Sequence, residues 1–275
     1  MNKFWKNGDP FVWLTGVALM FSLLMIAGLM YLILAKGLIF FWPSDVAELD
    51  LKNGGKLMGE IITQEKVPSK ADAITDEYRT QLKIGNRDLY GLDFKWVDDE
   101  EIESISYPKY AVVLERREWG NMYGFIKEIT EDGQVISEGN EESWPILESL
   151  IPVYAKIAGE IKSIEKGDIG GINHQIENYR LKIRGLELKG EKSQALTREY
   201  ESKIKEEEEK YKVEEKKLSV LYKEFNKDKI VMVSVDGREK EMSIGNIVRA
   251  FRPNSMNWFQ KASLYTSRAW GFVSE

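Results

Sequence analysis

The feature that most constrains this chain is an uncharged apolar run near its N-terminus. No charged residue lies between Phe11 and Ala35, a stretch of 25 residues. As an α-helix rising about 1.5 Å per residue it would be roughly 37 Å long, enough to cross a hydrocarbon core of about 30 Å with some tilt. We therefore predict a membrane-spanning helix over residues 11–35.

Two other interpretations of this run are disfavoured. It exceeds the apolar core of a cleaved signal peptide, which is about 7–15 residues long, and Ile33 spoils an Ala-x-Ala cleavage site ending at Ala35. A buried helix of a soluble domain is disfavoured because no charge interrupts about seven turns. Small residues on the helix allow close packing against other membrane helices. They are Gly16, Ala18, Ala27 and Gly28.

Flanking residues predict how the helix is oriented. Lys3 and Lys6 precede it with only Asp9 opposing them, and Lys36 follows it. This bias favours a cytoplasmic N-terminus, with the bulk of the chain on the other side. Aromatic residues suited to the membrane interfaces lie near both ends. They are Phe11 and Trp13 at one end, and Phe40, Phe41 and Trp42 at the other.

The remainder is predicted as a membrane-anchored α+β protein with a β-rich, barrel-like or meander domain over residues 44–142 and 229–256. An Asn-Gly turn between Val46–Leu51 and Leu57–Thr63 predicts a hairpin. The other predicted strands are Tyr78–Ile84, Leu89–Val97, Tyr110–Arg116, Met122–Ile129, Gln134–Ser137, Ile230–Val235, Glu239–Ile244 and Asn246–Phe251, with a loop at Asp98–Glu103.

Residues 143–228 are predicted to form an antiparallel coiled-coil hairpin, because positions from Ile172 to Phe225 follow the 3.5-residue period of a coiled coil. The seam positions are Ile172, Ile176, Tyr179, Ile183, Leu186, Gly190, Ser193, Thr197, Tyr200, Ile204, Glu207, Tyr211, Glu214, Leu218, Leu221 and Phe225. Ile157, Ile161 and Ile164 follow the same spacing one residue out of phase. The glycine-rich segment 167–171 marks that slip and predicts a kink or local unwinding.

The seam is weakest at Gly190 and Ser193, so we predict that the helix folds back near residues 187–193. Two arms would then pack antiparallel, with Tyr200 near Tyr179 and Ile204 near Ile176. One continuous helix in an intermolecular coiled coil is the alternative. Residues 257–275 form an aromatic, mildly basic tail, which predicts either a helix on the membrane surface or one docked on the β domain.

Composition and motifs argue against catalysis and nucleic-acid binding. The chain has a net charge of −6, whereas a protein that binds nucleic acid needs a basic face to neutralise the phosphates. The chain has no cysteine, and its single histidine, His174, lies beside the helical seam. A zinc site is therefore not predicted. P-loop spacing and a G-x-S-x-G elbow are both absent. We expect no catalytic, metal or cofactor-binding residue and no cofactor.

One polar feature supports a hypothesis of phosphate binding. Arg249 and Arg252 flank Phe251, with Arg268 further on, and guanidinium groups suit phosphate. The alternative is that these arginines form salt bridges within an acidic domain.

Several stretches resemble a known transporter family. They are residues 49–59 (LDLKNGGKLMG), 235–241 (VDGREKE), 247–254 (IVRAFRPN) and the tail 258–275. In their order and extent they resemble the PstA-type permease subunit of bacterial phosphate ABC transporters, in its long form with a large extracytoplasmic insertion after the first transmembrane helix.

The resemblance implies a place in the bacterial inner membrane, crossed once by this chain, with the bulk periplasmic. It implies a second permease subunit, a transporter ATPase and a periplasmic phosphate-binding protein as partners. No second spanning segment follows Ala35, so we interpret the chain as the N-terminal part of such a permease, without the pore-forming core.

The competing interpretation is a periplasmic adaptor of an efflux pump, or another single-pass coiled-coil scaffold. Adaptors also combine an anchor, β segments and a helical hairpin. They carry matched half-lipoyl motifs around the hairpin, however, and Met122–Ser137 and Ile230–Ile244 do not resemble matched halves.

Overall fold

The structure, a computed structural model, describes residues 9–39, 41–67, 77–188 and 194–274. The chain divides into two compact units. The first comprises residues 1–44 and 256–275, and the second comprises residues 45–255. Within the described ranges, the first unit contains helix α1 (Asp9–Ile39) and helix α6 (Trp258–Ser274).

The second unit begins with a five-stranded antiparallel sheet in the order β4-β3-β2-β1-β5. Its elements are β1 (Val46–Leu51), β2 (Lys56–Lys66), β3 (Tyr78–Lys83), helix α2 (Arg87–Tyr90), β4 (Phe94–Asp98) and β5 (Ile102–Ser106). The predicted β1–β2 hairpin is confirmed, with Asp50 opposite Lys56 and Gly54 at a φ of 80° in the turn. The buried side chains Ala47, Leu49 and Leu82 pack together in the core of this five-stranded sheet.

The second sheet combines strands from both sides of the helical insertion. Its main order is β10-β9-β7-β6-β11, and β8 also pairs with β7. The strands are β6 (Val112–Arg116), β7 (Asn121–Glu131), β8 (Gln134–Glu138), β9 (Asp228–Val233), β10 (Glu239–Ser243) and β11 (Ile247–Phe251). Strands from both predicted β segments therefore share this sheet, whereas β1–β5 form a sheet of their own.

A set of buried hydrogen bonds joins the two sheets. Asn86 has a φ of 51° and donates from Nδ2 to the Tyr123 carbonyl oxygen (2.9 Å), while its Oδ1 accepts from the Tyr123 N–H (2.7 Å). The Tyr123 hydroxyl donates to Glu60 Oε1 at 2.9 Å. A Cβ on Gly85, whose φ is 52°, would lie 2.5 Å from the Asn121 carbonyl oxygen. These side chains link β2 and the segment before α2 to β7.

Two predicted boundaries are wrong in this region. The predicted strand Leu89–Val97 begins with the helical turn α2, because Asn86 and Gly91, with φ angles of 51° and 77°, reverse the chain on either side of it. The predicted loop Asp98–Glu103 includes the start of β5. That strand is formed by pairing with β1, where Ile102 lies opposite Leu51.

The helical insertion leaves the second sheet after β8 and returns at β9. It consists of α3 (Gly139–Ser163), a π-helical segment (Ile164–Ile169), α4 (Gly170–Leu188) and α5 (Gln194–Phe225). Residues 189–193, which include the predicted seam positions Gly190 and Ser193, lie outside the described residues. Trp144, Leu147 and Tyr154 of α3 pack into the core of the second sheet.

The π-helical segment explains the phase slip seen in the sequence. Ile164 and Ile172 are eight residues apart, one more than a heptad, and a π turn closes i→i+5 hydrogen bonds that accommodate one extra residue. Local unwinding at this point is thus confirmed.

Helix α5 contacts α4, the π-helical segment and α3. The rings of Tyr179 and Tyr200 stack with their centroids 6.0 Å apart, which confirms that predicted pair. Nearer the sheet, the Tyr222 hydroxyl donates to Glu165 Oε1 at 2.7 Å. From Thr197 to Phe225 every predicted seam position is buried or half-buried, and Lys203 is the one other position in this range that is not exposed.

Candidate functional site

Helix α1 exposes its apolar side chains on every face. The large apolar side chains from Phe11 to Leu34 are between 56% and 71% exposed. The stretch Phe11–Gly37 is long and apolar enough to cross a membrane, and none of it is buried by the described residues. It is therefore not the core helix of the folded part that the structure describes.

The four small residues predicted to pack against other helices all lie on exposed turns of α1. A Cβ added to Gly16 or to Gly28 would meet no described atom within 4 Å. Gly16 and Ala27 are 11 residues apart and share one face, while Ala18 and Gly28 lie on others. Helix–helix packing through these residues stays a prediction.

An aromatic cluster lies just after α1 in the same unit. The Trp42 ring lies 6.4 Å from the Trp258 ring and 5.8 Å from the Tyr265 ring, centroid to centroid. Arg268 Nη1 donates to the Phe41 carbonyl oxygen at 3.1 Å. These contacts fix α6 against the residues that follow α1. Phe40 of the predicted aromatic belt lies outside the described residues.

The most organised polar cluster joins α2 to the second sheet. Arg116 on β6 makes two 3.0 Å hydrogen bonds to the Asp88 carboxylate, and both side chains are almost fully buried. Arg116 also donates to the carbonyl oxygens of Trp119 and Gly120 at 3.1 and 3.0 Å. Lys240 Nζ on β10 lies 3.2 Å from Asp88 Oδ2.

The electrostatics of this cluster are those of a satisfied ion pair. Desolvation by burial pushes the pKa of Asp88 upward, but the hydrogen bonds and charges of Arg116, with help from Lys240, hold it below its ordinary value. The adjoining cleft of about 200 Å³ is smaller than usual small-molecule pockets of about 300–1,000 Å³. We conclude that the cluster, in which Arg116 and Lys240 share the Asp88 carboxylate, joins α2 to the second sheet.

The two arginines of the phosphate hypothesis both have partners inside the protein. Arg249 Nη1 lies 3.2 Å from Glu115 Oε2 on the neighbouring strand. The Arg252 guanidinium carbon lies 4.3 Å from the centre of the Trp144 ring. Phosphate binding by Arg249 and Arg252 stays a prediction. Replacing both by glutamine and finding unchanged phosphate binding would remove the hypothesis.

One buried carboxylate is incompletely hydrogen-bonded. Asp228 lies where α5 passes into β9, and its Oδ1 atom has no hydrogen-bond partner. Burial raises the pKa of Asp228, and burial likewise raises the pKa of the neighbouring Tyr154, whose hydroxyl accepts from the Asp228 N–H at 3.2 Å. Among the residues that the structure describes, no three His, Cys, Asp or Glu side chains are grouped to hold a metal ion.

Sequence reasoning missed the Asp88–Arg116–Lys240 cluster. Its members come from α2, β6 and β10, and no local pattern connects them. Strand β6 ends in two charged residues, Glu115 and Arg116, and nothing in the sequence singles out Arg116 as the one that pairs with Asp88. Comparison of the chain with protein-family models, with curated proteins and with solved structures gave no match.

Proposed function

We propose that this chain is a membrane-anchored, non-enzymatic component of a transport assembly. In this proposal α1 crosses the bacterial inner membrane, the N-terminus is cytoplasmic, and the two-sheet domain with its helical insertion lies in the periplasm. The observation that carries the proposal is the exposure of α1, whose apolar side chains are uncovered on all sides.

The size of that exposed surface favours a lipid environment. Between Phe11 and Leu34, 18 large apolar side chains are more than half exposed. Removing one such side chain from water is worth about 1.5–3 kcal/mol, so the whole set represents roughly 30–50 kcal/mol. This exceeds the usual stability of a folded domain, about 5–15 kcal/mol. Bilayer lipid is the solvent that meets this demand along a helix of this length.

We further propose that α4 and α5 form an antiparallel coiled-coil hairpin. The pairs Tyr179–Tyr200 and Glu165–Tyr222 occur in opposite order along α5 and along the stretch made of the π-helical segment and α4, as antiparallel packing requires. The 3–4 spacing of the least exposed positions on α5 supports a coiled-coil seam. Helix α5 has 32 residues and is therefore about 48 Å long, which suits an arm that reaches a partner.

The transport assembly that we propose is a phosphate ABC transporter. Support comes from the sequence resemblance and from the order of elements: apolar helix, β segment, helical insertion, β segment and aromatic helix. The chain would serve as the first helix and extracytoplasmic domain of a PstA-type permease subunit. Its partners would be a second permease subunit, the transporter ATPase and the periplasmic phosphate-binding protein.

Crosslinking in native membranes tests this assignment. The tagged chain is crosslinked in intact cells, purified in detergent and analysed by mass spectrometry. Recovery of a phosphate-transporter ATPase, a second permease subunit and the phosphate-binding protein is the expected result. Recovery of an efflux pump with an outer-membrane channel would favour the adaptor instead, and recovery of neither set would contradict both assignments.

A variant of the arm controls for specificity. Tyr222→Phe keeps the aromatic ring and removes only an exposed hydrogen bond to Glu165, so the fold and the crosslinks from α1 should persist. A decrease confined to crosslinks from α4 and α5 would indicate that this contact lies at the binding surface of the helical insertion.

A further inference from the structure

Helix α6 presents an exposed stripe with an aromatic side chain at each end, called the aromatic stripe below. Phe259, Ser263, Thr266 and Trp270 follow the spacing i, i+4, i+7, i+11 and are all exposed. Phe259 and Trp270 at the ends of this stripe are 77% and 69% exposed. Large exposed aromatic side chains at both ends of one helical face are typical of a surface that binds a membrane or another molecule.

The opposite side of α6 is held within its own unit. The half-buried side chains on that side are Lys261, Leu264, Tyr265 and Arg268, and Tyr265 packs near the Trp42 ring. The Arg268 hydrogen bond to Phe41 adds a second attachment. Contacts on one side therefore determine which side of the helix remains available.

The start of α6 is fixed by a reciprocal cap. Asn257 Oδ1 accepts from the Gln260 N–H at 3.0 Å, and Gln260 Oε1 accepts from the Asn257 N–H at 2.9 Å. This is the arrangement of a capping box, which satisfies two backbone donors that would otherwise be unpaired. The helix is thus defined from its first turn.

The contacts of α6 with residues just after the apolar stretch of α1 indicate what covers the stripe. Phe41 and Trp42 follow the end of the apolar stretch at Gly37 by four and five residues. Five extended residues span at most about 18 Å. Since α6 contacts both of these residues, it starts at the level of the membrane interface whenever α1 spans the bilayer.

We propose that α6 lies on the surface of the same membrane, with Phe259 and Trp270 inserted among the lipid headgroups. Amphipathic indole and phenyl side chains favour this interfacial layer. Residues 258–274 contain Lys261 and Arg268 and no acidic residue, so the helix carries no charge that anionic lipid would repel. This inference rests on the proposed anchoring by α1 and adds a second point of membrane contact.

Site-specific fluorescence tests the proposal on the full chain. Because the chain has no cysteine, a single Thr266→Cys substitution places one environment-sensitive label within the stripe while keeping both aromatic residues. The labelled protein is reconstituted into phosphatidylcholine–phosphatidylglycerol vesicles that contain lipids spin-labelled near the headgroup. A second label at Ala27→Cys, with lipids spin-labelled deep in the acyl chains, reports separately on α1.

We expect quenching at both labels, and at least a threefold loss of quenching at residue 266 when Phe259→Ser and Trp270→Ser are combined. The matched control removes two exposed apolar residues elsewhere, through Leu181→Ser and Leu188→Ser, and should leave the label at residue 266 unaffected. Quenching at residue 27 without quenching at residue 266 would overturn this inference alone. Equal quenching at residue 266 in the Phe259/Trp270 variant would refute the role of the aromatic stripe. Lack of quenching at residue 27 would refute the anchoring and, with it, this inference.

Discussion

Replacing Arg116 by methionine should destabilise the two-sheet domain by about 3 kcal/mol at neutral pH. The substitution keeps most of the apolar stem but removes both hydrogen bonds to Asp88 and those to the carbonyl oxygens of Trp119 and Gly120. Removing one partner of a buried ion pair costs about 3–5 kcal/mol, because the other charge stays buried. Lys240 still lies 3.2 Å from Asp88, which favours the lower end of that range.

The cost should depend on pH in a defined direction. In the intact protein the pKa of Asp88 lies below its ordinary value, so the carboxylate contributes stability above its unfolded pKa and loses that contribution as the pH falls through the folded pKa. In the Arg116→Met variant the desolvation of Asp88 is no longer opposed by the guanidinium. The difference between the two proteins should therefore be largest near about pH 7 and shrink toward about pH 4.

Thermal unfolding of the full chain in detergent, followed by near-ultraviolet circular dichroism, measures the effect. A loss of about 3 kcal/mol in a unit of this size corresponds to a fall in Tm of roughly 6–12 °C. The double variant Asp88→Asn/Arg116→Met is the control, and it should be less destabilised than Arg116→Met alone because no buried charge is left unpaired, while the partly exposed Lys240 can be solvated by water. A loss under about 1 kcal/mol, or a loss that does not vary with pH, would refute this reasoning.

Three further predictions concern stability. Asp228→Asn should raise the Tm at neutral pH and leave it nearly unchanged in acid. The reason is that the pKa of Asp228 is raised in the folded protein, so its charged form destabilises the fold as the pH rises. A lower Tm of the variant at neutral pH would contradict this. Gly245→Ala should destabilise by about 2 kcal/mol or more, because its Cβ would lie 2.6 Å from the Phe225 carbonyl oxygen. Gly159→Ala lies at an open helical position and should instead stabilise the protein by up to about 1 kcal/mol. Both changes are measured by urea unfolding, and equal effects of Gly245→Ala and Gly159→Ala would contradict the packing described. Tyr179→Ala should reduce the protection of α4 and α5 in hydrogen exchange without changing that of the β strands, whereas unchanged protection would argue against the ring stack with Tyr200.

Two kinds of element could be predicted from the sequence alone. One is a helix that lipid would surround, and the other is a helical segment whose apolar residues recur at a fixed spacing. Lipid requires an uncharged stretch of fixed length, so the candidate membrane span from Phe11 was evident. A coiled-coil seam requires a 3.5-residue period, so both the stacked pair Tyr179–Tyr200 and the unwinding before Ile172 could be inferred from spacing alone.

Strand β5 was missed because its signal is nonlocal. Its residues from Glu103 to Ser106 are exposed, so the sequence shows no alternation of buried and exposed positions. The strand exists through pairing with β1, where Leu49 lies opposite Ile105, and a single sequence does not specify such a partner.

Charged side chains were the hardest to predict. The expectation that arginines form salt bridges within an acidic domain fits the Arg249–Glu115 pair, but no local pattern distinguishes Arg116 as the arginine that is almost fully buried. Its environment depends on two sheets packing together, and that arrangement is set by Asn86 and Tyr123 through bonds between distant segments.

The most direct test of the account is the fate of α1 in cells. The membrane fraction of cells that express the chain is washed with alkaline carbonate, and the retained and released proteins are measured by intact mass. We predict that the chain stays in the pellet with residues 11–37 still attached, and that Leu24→Arg combined with Ile26→Arg shifts it toward the soluble fraction. A soluble chain that lacks those residues would identify a cleaved signal sequence, and a soluble chain that retains them would contradict membrane anchoring.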